Sequence, residues 1–226
     1  MVAQQTSRGR ALKQVQAALS DPWREAIDLE SRGQYRRARQ RFTECLEARD
    51  VDAGDVHFHL GWCLEADGER AGAFAHYLQA AALAAGAPVV ANATYRAASL
   101  ALGDADFARA TSLLERSREA CASSVELREL GLHAAYWLGV CYEGENRVLD
   151  ALELYDEAAR SSEPRLRAEA RYRRLQGLAS LGAIEAAIRV AEQLIESDDG
   201  RDDGVARLAG LAAEERRQLL FALKEA

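Results

Sequence analysis

Five alanines punctuate the chain at nearly even intervals: Ala38, Ala73, Ala110, Ala151 and Ala187, separated by 35, 37, 41 and 36 residues. A small residue recurring inside helix-forming sequence marks a place where two helix axes approach to about 8–10 Å. Upstream of each alanine stands a glycine: Gly33, Gly68, Gly103, Gly144 and Gly182. Glycine accepts the left-handed conformation that ends a helix. Each interval therefore reads as a helix, a tight turn through the glycine, and a second helix that presents the alanine. Residues 60–65 (LGWCLE) and 138–143 (LGVCYE) match at four of six positions, which is repeat evidence in its own right. Such a unit cannot bury its apolar face alone and must stack on its neighbours.

The fullest unit runs from residue 134 to 164 and carries Leu138, Gly139, Tyr142, Ala151, Tyr155, Ala158 and Pro164. This pattern resembles a tetratricopeptide repeat, a helix–turn–helix unit of about 34 residues. The second copy repeats it with Leu60, Gly61, Gly68, Ala73, Tyr77 and Ala80. The first keeps Ala26, Leu29, Gly33, Ala38 and Phe42, and the third Ala98, Ala110 and Leu114. In the fifth, Arg174 and Leu175 stand where Leu-Gly is expected, while Gly182 and Ala187 hold. The resemblance covers residues 21–197. It implies an all-α fold, a right-handed superhelical solenoid of about five helix pairs with covering segments at both ends. The 41-residue spacing before the fourth alanine predicts one or two extra helical turns near residues 123–132, with Ser123 or Ser124 as cap.

Residues 1–20 read as a polar lead-in with one short amphipathic run. Asp21-Pro22 follows as a helix start, because Asp caps free N–H groups and Pro suits the first helical position. Residues 197–204, SDDGRDDG, break the repeat pattern. They lack the alternating ligands and distal Glu of a calcium loop and read as a solvated acidic linker. Residues 205–226 form one or two amphipathic helices with Leu208, Leu211, Leu219, Leu220 and Leu223 as the apolar set. A terminal repeat needs a polar cover for its apolar face, so residues 198–226 are expected to be linker and cap. The rival role is a docking helix for a second copy of the chain.

The 226 residues are 49% apolar but only 7% aromatic, with three prolines, a mixture that favours helix throughout. A net charge of −7 argues against a general nucleic-acid or anionic-membrane surface. No apolar run is long enough to span a bilayer, and the first residues lack an apolar signal core, so a cytoplasmic protein is expected. Lysine occurs only at Lys13 and Lys224 among many arginines. That bias suggests a GC-rich genome and a bacterial source. Cys45, Cys63, Cys121 and Cys141 form no C-x-x-C pair and are expected to be reduced thiols.

Signatures of catalysis are missing: no phosphate-cradling glycine loop, no G-x-S-x-G, no H-E-x-x-H. The chain is therefore expected to be non-enzymatic, without cofactor or metal. His59 and Cys63, four apart on one helix, with His76 on the partner helix, are the one arrangement with metal-ligand spacing. Packing competes with that reading, since Cys63 and Cys141 occupy equivalent repeat positions and a buried thiol behaves as a small apolar group. Two arginine runs, at residues 36–41 and 165–174, invite a nucleic-acid reading. The acidic residues Asp150, Glu153, Asp156 and Glu157 on the preceding helix offer them partners inside the chain instead.

In the tetratricopeptide family the first helices line a concave groove that binds segments of partner proteins. One position on that face carries Trp23, Phe58, Tyr95, Tyr136 and Tyr172, all aromatic. The next turn adds Ile27, Trp62, Ser99, Val140 and Gln176, and the preceding turn Asp55, Asn92, His133 and Glu169. Aromatic side chains give much contact area at low entropy cost. Arg24, Arg96 and Arg173, one residue along, would meet carboxylates of a ligand. The protein-binding candidates are thus Trp23, Phe58, Trp62, Asn92, Tyr95, Arg96, His133, Tyr136, Tyr172 and Arg173. The same aromatic row also suits packing between adjacent helices. Some family members clamp a partner's carboxyl terminus with Lys and Asn; no Lys lies in these repeats, and Asn92 alone does not restore that pattern. The expected function is an adapter that binds an unidentified protein or peptide in an aromatic-lined groove. The alternative is a scaffold that self-assembles through its end surfaces or C-terminal helix into a homo-oligomer.

Overall fold

The structure, a computed structural model, describes residues 21–48, 51–122, 124–198 and 200–225. The lead-in and cover expected of residues 1–20 lie outside the described residues. Within them the chain is all-α. Its helices are α1 (Asp21–Ser31), α2 (Tyr35–Ala48), α3 (Ala53–Ala66), α4 (Arg70–Leu83), α5 (Ala87–Gly103) and α6 (Phe107–Cys121). A short 3-10 helix (Val125–Leu127) precedes α7 (Arg128–Gly144), α8 (Val148–Ala158), α9 (Pro164–Ser180), α10 (Ile184–Glu196) and α11 (Asp203–Glu225). Two compact units divide the chain, one reaching to Leu100 and the other beginning at Ala101, so the division falls inside α5. In the first unit α1, α2, α3 and α4 pack in sequence. In the second, α6 through α11 do the same, with α11 touching both α9 and α10.

The alanine register is exact. Each second helix begins three residues before its alanine, at Tyr35, Arg70, Phe107, Val148 and Ile184, and all five alanines are buried. The turn glycines need a correction. Gly33, Gly68 and Gly182 adopt the expected left-handed φ of 72°, 81° and 72°. Gly103 and Gly144 do not: they are the last residues of α5 and α7. The left-handed residues there are Ala105 (φ 58°) and Asn146 (φ 61°). The constant is geometric, since the left-handed residue stands five before each alanine whatever its type. Asn tolerates this region better than Ala, which bears the clash of its Cβ.

The first, second, fourth and fifth pairs each interlock through one size exchange between their two helices. In the second pair a Cβ on Gly61 would lie 2.8 Å from the Tyr77 ring; in the fourth, a Cβ on Gly139 would lie 2.7 Å from Tyr155 Cε1. The first pair has Ala26 in the glycine's place and Phe42 in the tyrosine's, both fully buried in one cluster. In the fifth pair the exchange is reversed. Leu175 takes the glycine's position and Ala191 the tyrosine's, again fully buried together. The missing Leu-Gly of the fifth copy is therefore a repacked contact in an intact register, and volume is conserved across the interface.

The extra residues before the fourth alanine include the 3-10 turn, a single short turn, while α7 has the same length, 17 residues, as α5 and α9. Ser124 Oγ accepts from Glu126 N–H at 3.1 Å and caps it; Ser123 lies outside the described residues. At the C-terminal end a single helix follows the acidic segment. Asp202 Oδ1 accepts from Gly204 N–H at 2.8 Å and Val205 N–H at 3.0 Å, which starts α11. Val205, Leu208 and Ala212 then enter the cluster of α9 and α10. Of the apolar set expected to cover the last pair, Leu208 is buried and Leu219 packs partly against that cluster, whereas Leu211 and Leu223 are exposed.

Candidate functional site

Three of the residues singled out in the sequence converge in the second unit. Tyr136 from α7 and Tyr172 and Arg173 from α9 line a cavity of about 380 Å3 together with Arg165, Glu169, Gln176 and, from α11, Gly204, Arg207, Leu208 and Leu211. The α9 members recur at three- and four-residue intervals, as do those of α11, so each helix contributes one face. Tyr136 is only 7% exposed, and burial pushes its phenol above the usual tyrosine range. Tyr172 is half-buried and its hydroxyl donates to Glu215 Oε1 at 3.2 Å, which ties α9 to α11. Leu211, at 43% exposure, stands at the mouth.

The cations of the cavity differ in their commitments. Arg173 Nη1 donates to Glu143 Oε2 at 3.2 Å. Arg165 Nε reaches Glu169 Oε1 at 3.2 Å, one helical turn away. Arg207 is exposed, and no ion pair of the described residues involves it. The cavity thus offers apolar walls, two phenol rings and a guanidinium available to a ligand. Arg207 and Leu211 were not among the sequence candidates. Their helix was legible only as an apolar cover, and nothing in the pattern says which of its turns faces α9.

Arg96 and Arg173 prove to be matched parts of a repeated internal network. In the first unit Tyr77 Oη donates to Glu65 Oε2 at 2.6 Å, and Arg96 lies 3.6 Å from Glu65. In the second, Tyr155 Oη donates to Glu143 Oε2 at 2.7 Å, the oxygen that Arg173 also reaches. Burial and the neighbouring carboxylate push both phenols, Tyr77 and Tyr155, well above the usual range. The first pair keeps a version of the network: Glu30 Oε2 meets His59 Nδ1 at 2.7 Å, and Phe42 replaces the tyrosine. Each glutamate thus fastens one pair's first helix to the first helix of the next.

The remaining candidates sit as follows. Trp23 packs edge-on against Phe42 and His59, with centroids 5.4 and 5.2 Å apart. Phe58 meets Tyr77 at 5.8 Å. Trp62 carries the Arg96 guanidinium 4.2 Å above its ring. Tyr95 is half-buried. Asn92 Nδ2 donates to Pro88 O of its own helix at 2.8 Å, and His133 Nε2 lies 3.0 Å from Glu163.

The histidines pair differently from the metal-ligand arrangement. His76 joins His57, not His59, with Nδ1 atoms 2.9 Å apart. Burial lowers both imidazoles below the usual histidine range, and His57 lowers His76 further. Cys63 is fully buried, and burial, with Glu30 nearby, pushes its thiol up to about 12. Among the described residues no three of His, Cys, Asp and Glu lie together as a metal would need. The arginine runs are largely engaged inside the chain. Arg39 meets Asp67 and Glu69, Arg41 meets Glu25 and Glu44, and Arg174 meets Asp156. Arg167 and Arg171 reach the backbone carbonyls of Ser161 and Gln193 instead. No helix among the described residues is long and apolar enough to cross a membrane.

No family model and no characterised sequence matches this chain. Solved structures do. The apo form of RapI superposes with a TM-score of 0.68 at 13% identity, over 94% of this chain and 66% of that one. YrrB, a TPR protein with an unusual peptide-binding site, gives 0.64 at 18% identity, over 91% and 97%. MamA gives 0.59 at 18% identity, over 76% and 93%. At these identities the likeness is one of fold: the chain has a tetratricopeptide-like repeat fold.

Proposed function

From that fold we propose that the chain is a non-enzymatic protein-interaction module, an adapter that holds a segment of a partner protein against the aromatic face of its first helices. The observation that carries the reading is the convergence of Tyr136, Tyr172 and Arg173 on one cavity that the exposed Arg207 also lines. Tyrosine and arginine are the residue types that most often dominate binding energy at interfaces. A peptide side chain packs between the two phenol rings and Leu211, and an acidic group reaches Arg207. Trp62 and Tyr95, with Phe58, Asn92 and Arg96 around them, are the corresponding surface of the first unit, and Trp23 and His133 extend the two rows. The peptide-binding site of YrrB supports this reading by analogy of fold.

Selection of a random peptide library on the purified chain tests it. Enriched peptides are expected to pair an acidic residue with a neighbouring apolar one, and Tyr172→Ala with Arg207→Glu is expected to abolish their binding while leaving helicity intact. Enrichment of no sequence class, or peptides that bind the double variant equally well, would refute it.

A second reading, self-assembly through the C-terminal helix, rests on one observation. The end of α11 exposes Phe221 at 67% and Leu223 at 46%. Sedimentation of the full chain and of Phe221→Glu/Leu223→Glu decides it: a mass that falls in the variant supports assembly, and a monomer in both removes it.

A further inference from the structure

The second unit holds another cavity, of about 510 Å3, that shares no residue with the one around Tyr136. It is lined by the end of α6, the turn through Ser124 and Val125, the start of α7 and the end of α8. Its size suits a small molecule, since ligand cavities commonly span about 300–1,000 Å3. Gly131 shapes its floor. A Cβ there would lie 3.2 Å from Cys121 Cβ, so the glycine lets α7 close on α6. Cys121 and Leu132, both buried, give that floor an apolar character.

The polar lining is unbalanced. Arg118, Arg128 and Arg160 contribute three guanidinium groups against one carboxylate, Glu157. Glu157 Oε2 is taken by Arg118 at 2.6 Å. Asp156, just outside, is 2.8 Å from Arg160 and equally close to Arg174, so one carboxylate serves two arginines. The neighbour of Arg128, Glu129, is already held by Ser161 Oγ at 2.6 Å and Ser162 N–H at 3.1 Å. Arg128 itself has no ion pair among the described residues. In a chain of net charge −7, this is a concave site of reversed sign over an apolar floor.

We propose that this cavity binds a small organic anion, a carboxylate or phosphate monoester bearing a short apolar chain. The planar guanidinium of Arg128, with Arg160 beside it, takes the anionic head through charge-assisted hydrogen bonds. The chain lies on Cys121 and Leu132, which distinguishes the site from a bare anion patch.

Titration calorimetry of the full chain at low ionic strength tests this, with octanoate, octyl phosphate, inorganic phosphate and octanol as probes. One of the two alkyl anions is expected to bind with 1:1 stoichiometry, and whichever binds tighter names the head group. Inorganic phosphate and octanol are each expected to bind at least about tenfold more weakly, having lost floor or head contacts. Arg128→Glu is expected to weaken the alkyl anion by about tenfold or more. Its fold is not at risk: the side chain is exposed and an acidic residue suits a helix N-terminus. Ala122→Trp, which fills the cavity from its rim, is expected to have the same effect, and Arg207→Glu none. No saturable binding of either alkyl anion overturns the proposal. So does octanol or phosphate binding as tightly, or a signal lost with Arg207→Glu but kept in Arg128→Glu.

Discussion

Replacing Gly139 by alanine tests the interlocking of the helix pairs most directly. The new Cβ would stand 2.7, 3.0 and 3.2 Å from Cε1, Cδ1 and Cζ of Tyr155. Carbon atoms pack at about 3.5–4.0 Å, so the ring must withdraw by roughly 0.8 Å. It has nowhere to go. Tyr155 is 1% exposed, its hydroxyl is held 2.7 Å from Glu143, and Glu143 is held in turn by Arg173. Overpacking of this kind costs about 1–3 kcal/mol, while alanine gains about 1 kcal/mol over glycine within a helix. With the ring pinned, the net loss is about 1–2 kcal/mol. Urea unfolding followed by helical circular dichroism reads it. Gly210→Ala is the control, because that helical glycine is exposed and its Cβ would meet nothing within 4 Å; it should raise the midpoint. In a Tyr155→Leu background the Gly139→Ala penalty should vanish. A midpoint that rises for Gly139→Ala as it does for Gly210→Ala, or a penalty that persists beside Leu, would refute the reasoning.

Ala105→Gly should stabilise the chain by roughly 0.5–1 kcal/mol, the relief of a left-handed alanine less the added freedom of the unfolded chain; an unchanged or lowered urea midpoint would contradict the strain at φ 58°. Tyr155→Phe should cost about 1–2 kcal/mol by removing a hydrogen bond to a charged partner. Its effect should not add to that of Arg173→Gln, because both act on Glu143; strict additivity in a double-mutant cycle would dissolve the network. The His57–His76 pair sets a pH dependence. Both imidazoles are lowered when folded, so the unfolded chain binds more protons, and the pair's contribution is lost as pH falls below the unfolded value of about 6.5. Melting temperature should therefore drop between pH 7 and pH 5, and His57→Gln/His76→Gln should flatten that slope; an equal slope in the variant would exclude the pair as its source.

How much of this molecule its sequence reveals depends on the range of the interaction concerned. The five alanines, their spacing and the duplicated Leu-Gly fragments determined a chain of helix pairs, because helix periodicity and close axis contact act within about forty residues. Even here the eye follows residue types where the fold follows positions. Gly103 and Gly144 look like the turn residues, yet Ala105 and Asn146 take the left-handed step, since the distance to the buried alanine governs the turn. Likewise Leu175 looks like a broken motif until Ala191 is seen beneath it. The aromatic row was legible as a row, while the partners of its arginines were not. Glu65 with Arg96, and Glu143 with Arg173, lie about thirty residues apart in different pairs. Only tertiary packing decided that these cations face their own chain, that Arg207 from the last helix joins Tyr136 and Tyr172 at one cavity, and that Arg128 lines another with Arg118 and Arg160. The physical reason is that side-chain pairing depends on which faces meet across helices, and hydrophobic periodicity names the buried face without naming what lies against it.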